Sequence, residues 1–167
     1  MRFTGRAYRA HDPRWSFAPL SGAGSAISGG RFNVKGQATL YLSLDPVTAI
    51  IEVTQGFTNR LHPMTLCEYD IDCADIAYLR SAEGCFAAGV ERETLASPWL
   101  TSQRAGRVAP SQSIAQALVA KGFAGAVVPS FAPGAQAKAG NLVLWLWGAY
   151  LPHWVKLFDP EGRLVVE

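Results

Sequence analysis

Apolar positions in this chain fall into short runs, most of them strand-like. Residues 39–44 (TLYLSL), 64–72 (MTLCEYDID), 125–130 (GAVVPS) and 141–147 (NLVLWLW) are rich in β-branched, aromatic and leucine side chains and are bounded by turn residues, the pattern of strands. The last belongs to the longest apolar run, NLVLWLWGAYL. It is far short of the roughly 20 residues a membrane helix needs and reads as a buried strand, with Trp145 and Trp147 on one side in a core or an interface. Near the end, residues 154–158 and 163–167 flank Asp159-Pro160-Glu161-Gly162, in which proline presets the turn and glycine takes the position suited to positive φ. This predicts a hairpin.

Helical spacing appears twice. Asp45 is a capping residue and Pro46 suits the first helical position, and VTAIIEVTQ then runs to a stop at Gly56. On a helical wheel Glu52 falls near Thr48 and Gln55, away from Val47, Ile50 and Ile51, where a solvated glutamate sits. A second helix starts near Ser111 or Ser113 and runs through IAQALVAK to Gly122, with Lys121 in the last turn. Residues 97–110 (SPWLTSQRAGRVAP) form a loop or a short helix, and residues 21–30, with Gly22, Gly24, Gly29 and Gly30, form one long mobile loop. Strands that do not alternate regularly with long helices make the fold class α+β. A length of 167 residues with 49% hydrophobic content suits a single domain, 1–167.

Charge and cysteine content narrow the functional classes. A net charge of +2 with 17% charged residues offers no basic face for a nucleic-acid backbone. The start, MRFTGRAYRAHDPRW, has no signal-peptide pattern, so a cytoplasmic location is expected. Cys67, Cys73 and Cys85 lack CxxC spacing and a neighbouring histidine, which points to reduced structural thiols and no metal. His11, His62 and His153 are scattered, in solvent-facing or capping positions. Asp70 and Asp72 share one face of an exposed strand edge, without a third ligand for a metal. Arg104 and Arg107 read as a solvated pair or as arms reaching a phosphate.

SGGRFN, residues 28–33, sets Arg31 directly after two glycines. No GxxxxGK[ST] motif is present, and Ile27 stands where a dinucleotide fingerprint would need its third glycine. What remains is backbone open to close approach beside a guanidinium whose planar fork suits phosphate or carboxamide oxygens. An arginine that merely starts a strand is the alternative. Tyr41 and Glu52 follow in order, so an arginine, a tyrosine and a carboxylate lie within one loop-strand-helix unit, although each alone also fits a structural role.

Residues 28–53, SGGRFNVKGQATLYLSLDPVTAIIEV, resemble the signature region of the RES domain family, bacterial toxins usually encoded beside an antitoxin with an Xre-type helix-turn-helix domain. The resemblance extends to YRAHDPRW at the start and to VVPS and GNLVLW near the end, whereas residues 56–110 match no motif. It implies a fold similar to the diphtheria-toxin type of ADP-ribosyltransferase, mainly antiparallel with a few helices, and consumption of NAD as substrate with no metal. Carried over by position, Arg31, Tyr41 and Glu52 become catalytic residues, and Arg31, Tyr41, Ser130, Gly30 and Asn33 become NAD-binding ones. Glu52 would stabilise the ribosyl oxocarbenium ion, Arg31 would hold the pyrophosphate or nicotinamide side, Tyr41 would stack on nicotinamide, and Ser130 would bond the ribose or carboxamide. Transfer of ADP-ribose to a cellular protein is the leading expectation. Transfer to water or phosphate, and a non-catalytic nucleotide-binding module, are the alternatives.

Overall fold

The computed structural model describes residues 1–54 and 61–164, and these form seven strands and five α-helices, an α+β arrangement as expected. The strands are β1 (Phe3–His11), β2 (Leu40–Ser43), β3 (Thr65–Cys73), β4 (Ile76–Tyr78), β5 (Gly125–Pro129), β6 (Gly140–Leu144) and β7 (His153–Leu157). The helices are α1 (Ala23–Ser28), α2 (Pro46–Val53), α3 (Ala82–Ala88), α4 (Trp99–Arg104) and α5 (Pro110–Ala120). The strands join in one sheet in the order β4-β5-β6-β2-β1-β3-β7, antiparallel throughout except for the parallel β4–β5 pair.

Period-two alternation gives the sheet two different faces. Leu40, Leu42, Val127, Leu142 and Leu144 point to one core, with Tyr69 and Ile71 of β3. The intervening Ala126, Val128 and Val143 point to the other, where Leu79, Cys85, Leu95, Ala115 and Leu118 cover them and Tyr41 packs alongside. α2 packs over β1, β2 and β3. The second face of β2 and β6 is thus walled by helices on both sides, and the cavity described below lies there.

Several elements differ from the sequence expectation. The glycine-rich stretch 21–30 is not one loop: residues 23–28 form α1, closed by Ser25 and Ser28 hydroxyls donating to the Gly22 and Gly24 carbonyls (2.7 and 2.9 Å). Residues 99–104 take the helical alternative, as α4. β6 ends at Leu144, so Trp145 and Trp147 diverge: Trp145 packs on the second core and donates to the Phe32 carbonyl, while Trp147 packs on the first and donates to the Leu20 carbonyl (2.9 and 3.1 Å). β3 is not an edge strand, because β7 pairs along it, and Asp72 there binds Arg2. His11 is buried, with Nε2 3.7 Å from the Cys67 sulfur, rather than facing solvent. At the C-terminus the Asp159–Gly162 turn closes with Gly162 at φ 61°, as expected, but Arg163 and Leu164 are not in a strand. The rest of the expected hairpin arm, and the expected helix stop at Gly56, lie outside the described residues.

α2 begins as the sequence indicates. Asp45 Oδ1 accepts from the Thr48 backbone N–H (2.8 Å) and Oδ2 from the Thr48 hydroxyl (2.6 Å), and Pro46 occupies the first turn. Asp45→Ala is expected to lower stability by about 1 kcal/mol, read by urea denaturation.

Candidate active site

Residues Gly30 to Asn33 form a tight turn, bridged by backbone hydrogen bonds between Gly30 and Asn33. Arg31 is therefore in a turn, not at the start of a strand. Asn33 is fully buried, and its Nδ2 donates to the carbonyls of Ser25, Val34 and Gln37 (2.8, 3.0 and 3.0 Å). From α5, the buried Gln112 donates through Nε2 to the carbonyls of Gly30 and Asn33 (2.9 and 3.1 Å). From β2, Tyr41 Oη donates to Asn33 Oδ1 (2.8 Å) and accepts from the Phe32 N–H (3.0 Å). The turn is held from three elements, so Arg31 leaves it in a fixed direction.

The Arg31 guanidinium donates to the carbonyls of Ser97 (2.7 Å) and Leu95 (3.4 Å) and lies 4.6 Å from the Phe131 ring centroid, a cation–π arrangement. Burial lowers its pKa from the ordinary arginine value, while the Glu52 charge opposes that shift. Guanidinium and carboxylate thus act on each other across one space. Burial raises the Tyr41 phenol well above its ordinary range. Its hydroxyl stays protonated and engaged with the turn, and the side chain lines the cavity.

Glu52 is half-buried, not on the solvent face that helical periodicity suggests. Its Oε1 accepts from the Ser130 hydroxyl (2.6 Å) and from Asn141 Nδ2 (2.5 Å). Two neutral donors at the ends of β5 and β6 draw the carboxylate over the sheet, where wheel geometry alone does not place it.

Arg31, Tyr41 and Glu52 line one cavity of about 530 Å³, with Gly30, Trp99, Phe131 and Asn141 among its walls. That volume is in the range of small-molecule and cofactor sites. Of the other expected ligand-binding residues, Ser130 reaches the cavity through Glu52, and Asn33 lies behind the wall as a support for the turn and for Tyr41. Arg104 and Arg107 are exposed and outside the cavity wall. Sequence reasoning missed Asn141, Gln112 and Trp99. Asn141 lay in the quoted GNLVLW, where alternation puts it on the same face as Val143, and this is the signal that could have found it. Gln112 and Trp99 lie outside every motif. Among the described residues no group of three or more His, Cys, Asp or Glu is placed to hold a metal, and no helix is long and apolar enough to cross a membrane.

A Cβ added at Gly30 would lie 2.6 Å from Tyr41 Oη and 2.7 Å from Asn33 Oδ1. Gly30→Ala is therefore expected to break the Tyr41–Asn33 contact and swing Arg31, costing roughly 1–3 kcal/mol of stability. A thermal melt, followed by ligand titration of the folded fraction, checks both effects.

A model of the RES domain matches residues 6–154. Among solved structures, a chain of the M. tuberculosis MbcT–MbcA toxin–antitoxin complex superposes with a TM-score of 0.66 at 18% sequence identity, over 95% of this chain and 84% of that one. At that identity the likeness speaks to the fold. No curated protein matches. The family match runs from β1 into β7 and spans the turn, strand and helix that carry Arg31, Tyr41 and Glu52, and by it this chain belongs to the RES domain family.

Proposed function

We propose that this protein is the toxin of a toxin–antitoxin pair, and that it cleaves the bond between nicotinamide and ribose in NAD and transfers the ADP-ribose to a cellular protein. The observation that carries the reading is the convergence of Arg31, Tyr41 and Glu52 on one cavity, with the carboxylate braced by Ser130 and Asn141. As the C–N bond breaks, nicotinamide leaves with the bonding electron pair, and the ribose carbon becomes oxocarbenium-like. The Glu52 carboxylate stabilises that positive charge. Arg31, held by the Ser97 carbonyl at one nitrogen, presents its remaining N–H groups to the pyrophosphate or the carboxamide oxygen. Tyr41 offers the nicotinamide a ring face. The acceptor nucleophile then bonds to the ribose carbon and releases its proton to solvent. Gly30 leaves room for the Tyr41 hydroxyl and the Asn33 amide beneath the cavity wall, Asn33 holds the turn, and Ser130 orients Glu52.

Val53, which lines the cavity, is exposed, and so are Ile27 and Leu100, the chain neighbours of the lining residues Ser28 and Trp99, so apolar side chains for a protein to cover accompany the site. Both the acceptor and a cognate antitoxin with an Xre-type helix-turn-helix domain are assigned to this site, in line with a structural neighbour solved as a toxin–antitoxin complex. The test is incubation of the purified protein with NAD labelled in the ADP-ribose part, in a lysate of a heterologous host. Label moving onto a protein supports the reading. Free nicotinamide with unlabelled protein reassigns the acceptor to water or phosphate, and unchanged NAD overturns the enzymatic reading in favour of a binding module.

A further inference from the structure

Asn141 stands at the start of β6, in the middle of three strands: its Cα is opposite Ser43 of β2 on one side and Val128 of β5 on the other. Its backbone is therefore flanked by a paired strand on each side. Its amide is fixed as well. The Ser43 hydroxyl donates to Oδ1 (2.9 Å), which leaves Nδ2 to donate to Glu52 Oε1 (2.5 Å). The reversed amide would set a carbonyl oxygen against a carboxylate, so the network permits one orientation. The second donor to the same oxygen is equally directed, because Ser130 Oγ accepts from the Ala132 N–H (3.3 Å) and turns its proton to Glu52.

We propose that Asn141, oriented by Ser43, is a positioning residue that holds the Glu52 carboxylate in its catalytic orientation from a strand paired on both sides; this rests on the NAD-cleaving reading above. Residue type matters here. An amide supplies a donor without a charge, so it fixes the carboxylate without cancelling the negative charge that an oxocarbenium ion requires. A lysine at this place would neutralise the carboxylate, and an aspartate would repel it.

Asn141→Asp keeps the shape and the Ser43 contact but puts two carboxyl groups at hydrogen-bond distance, where they share one proton and titrate as a pair. Activity is measured as nicotinamide release from NAD in the presence of a heterologous-host lysate that supplies acceptor, between pH 5.5 and 8.5, for variant and unmutated protein side by side. At high pH, where both carboxyl groups are ionised and repel, the variant is expected to lose on the order of a hundredfold in kcat, with KM within about threefold, and the deficit is expected to shrink as pH falls and the protonated carboxyl at position 141 again donates to Glu52.

The other charged and titratable groups around this region among the described residues are common to both proteins and cancel in the ratio. Arg31, Tyr41 and Tyr8 line the cavity, and Arg9 donates to the Pro19 and Ser21 carbonyls. Glu68 of β3 binds Arg6, Asp45 caps α2, His11 is turned to Cys67, and His11 and His62 line a smaller cavity that shares Val53 with the main one.

A variant with unmutated kcat at every pH, or a loss confined to KM, would overturn the proposal. If Asn141→Asp fails to fold in a thermal melt, Ser43→Ala decides the matter. Releasing the Asn141 carbonyl should lower kcat several-fold at constant KM, and an unchanged kcat counts against the proposal. An unmutated protein that releases no nicotinamide sinks the NAD reading itself, and this inference with it, whereas normal activity in the variants sinks this inference alone.

Discussion

Glu52→Ala is expected to lower nicotinamide release from NAD by two to three orders of magnitude while the protein stays folded. The size follows from the general worth of one preorganised charge-stabilising group in a closed site, roughly 3–4 kcal/mol of barrier. Folding should survive because Glu52 is only half-buried and lies near the end of α2, whose cap at Asp45 and packing on β1 are untouched. The substitution leaves Ser130 Oγ and Asn141 Nδ2 without their carboxylate, but both groups can turn to water in the cavity, so the desolvation penalty of a sealed site does not apply. A thermal melt beside the NAD assay separates loss of chemistry from loss of fold. In a growth assay, expression of Glu52→Ala should no longer inhibit cells.

The second large effect is expected at Arg31. Arg31→Lys preserves the charge but not the fork: one nitrogen cannot both donate to the Ser97 carbonyl and reach a ligand oxygen, and the ammonium also forfeits part of the planar contact over Phe131. KM for NAD should rise by more than tenfold. Arg31→Ala should go further and abolish measurable turnover. Because burial already works against this cation, a ligand phosphate in the cavity supplies counter-charge beyond what Glu52 provides. The order Arg > Lys > Ala in affinity is the expected outcome, and equal affinity of the arginine and lysine proteins would remove Arg31 from the binding site.

The sequence was most legible where local chemistry and final environment agreed. The Asp45-Pro46 start of α2, the LYLS strand and the GAVVP strand all carry their own signals, and each forms within a residue or two of the expected limits. β1 was not legible. FTGRAYRAH has neither alternation nor a hydrophobic run, and it becomes a nine-residue strand because β2 and β3 pair with it on either side, a non-local cause that no window of sequence contains. α3 was missed for a related reason: AEGCFAA is short and carries a glycine in its middle, and its Ser81 cap and Gly89 stop are persuasive only once the helix is seen.

Within the site, residue pattern alone placed Glu52 in solvent, and the family resemblance placed it in the cavity. The structure shows why the two differ. The wheel describes the helix in isolation, whereas Ser130 and Asn141, 78 and 89 residues away in the chain, supply the hydrogen bonds that turn the carboxylate inward. Arg31 and Gly30 were readable from SGGRFN, but the clamp that aims the arginine was not, because Gln112 and the Leu95 and Ser97 carbonyls come from segments without a motif. The stretch that the resemblance left blank therefore supplies the anchor for Arg31 and, through Trp99, part of the cavity wall.

The measurement that bears most directly on the central claim is the time course of free nicotinamide when the purified protein is given excess NAD together with a heterologous-host lysate as the source of acceptor, against lysate alone. Arg31, Tyr41 and Glu52 acting from one cavity should release nicotinamide in multiple turnovers, and the Glu52→Ala protein at equal concentration should fall at least a hundredfold behind. Intact NAD after prolonged incubation, or equal release by the two proteins, would contradict the account.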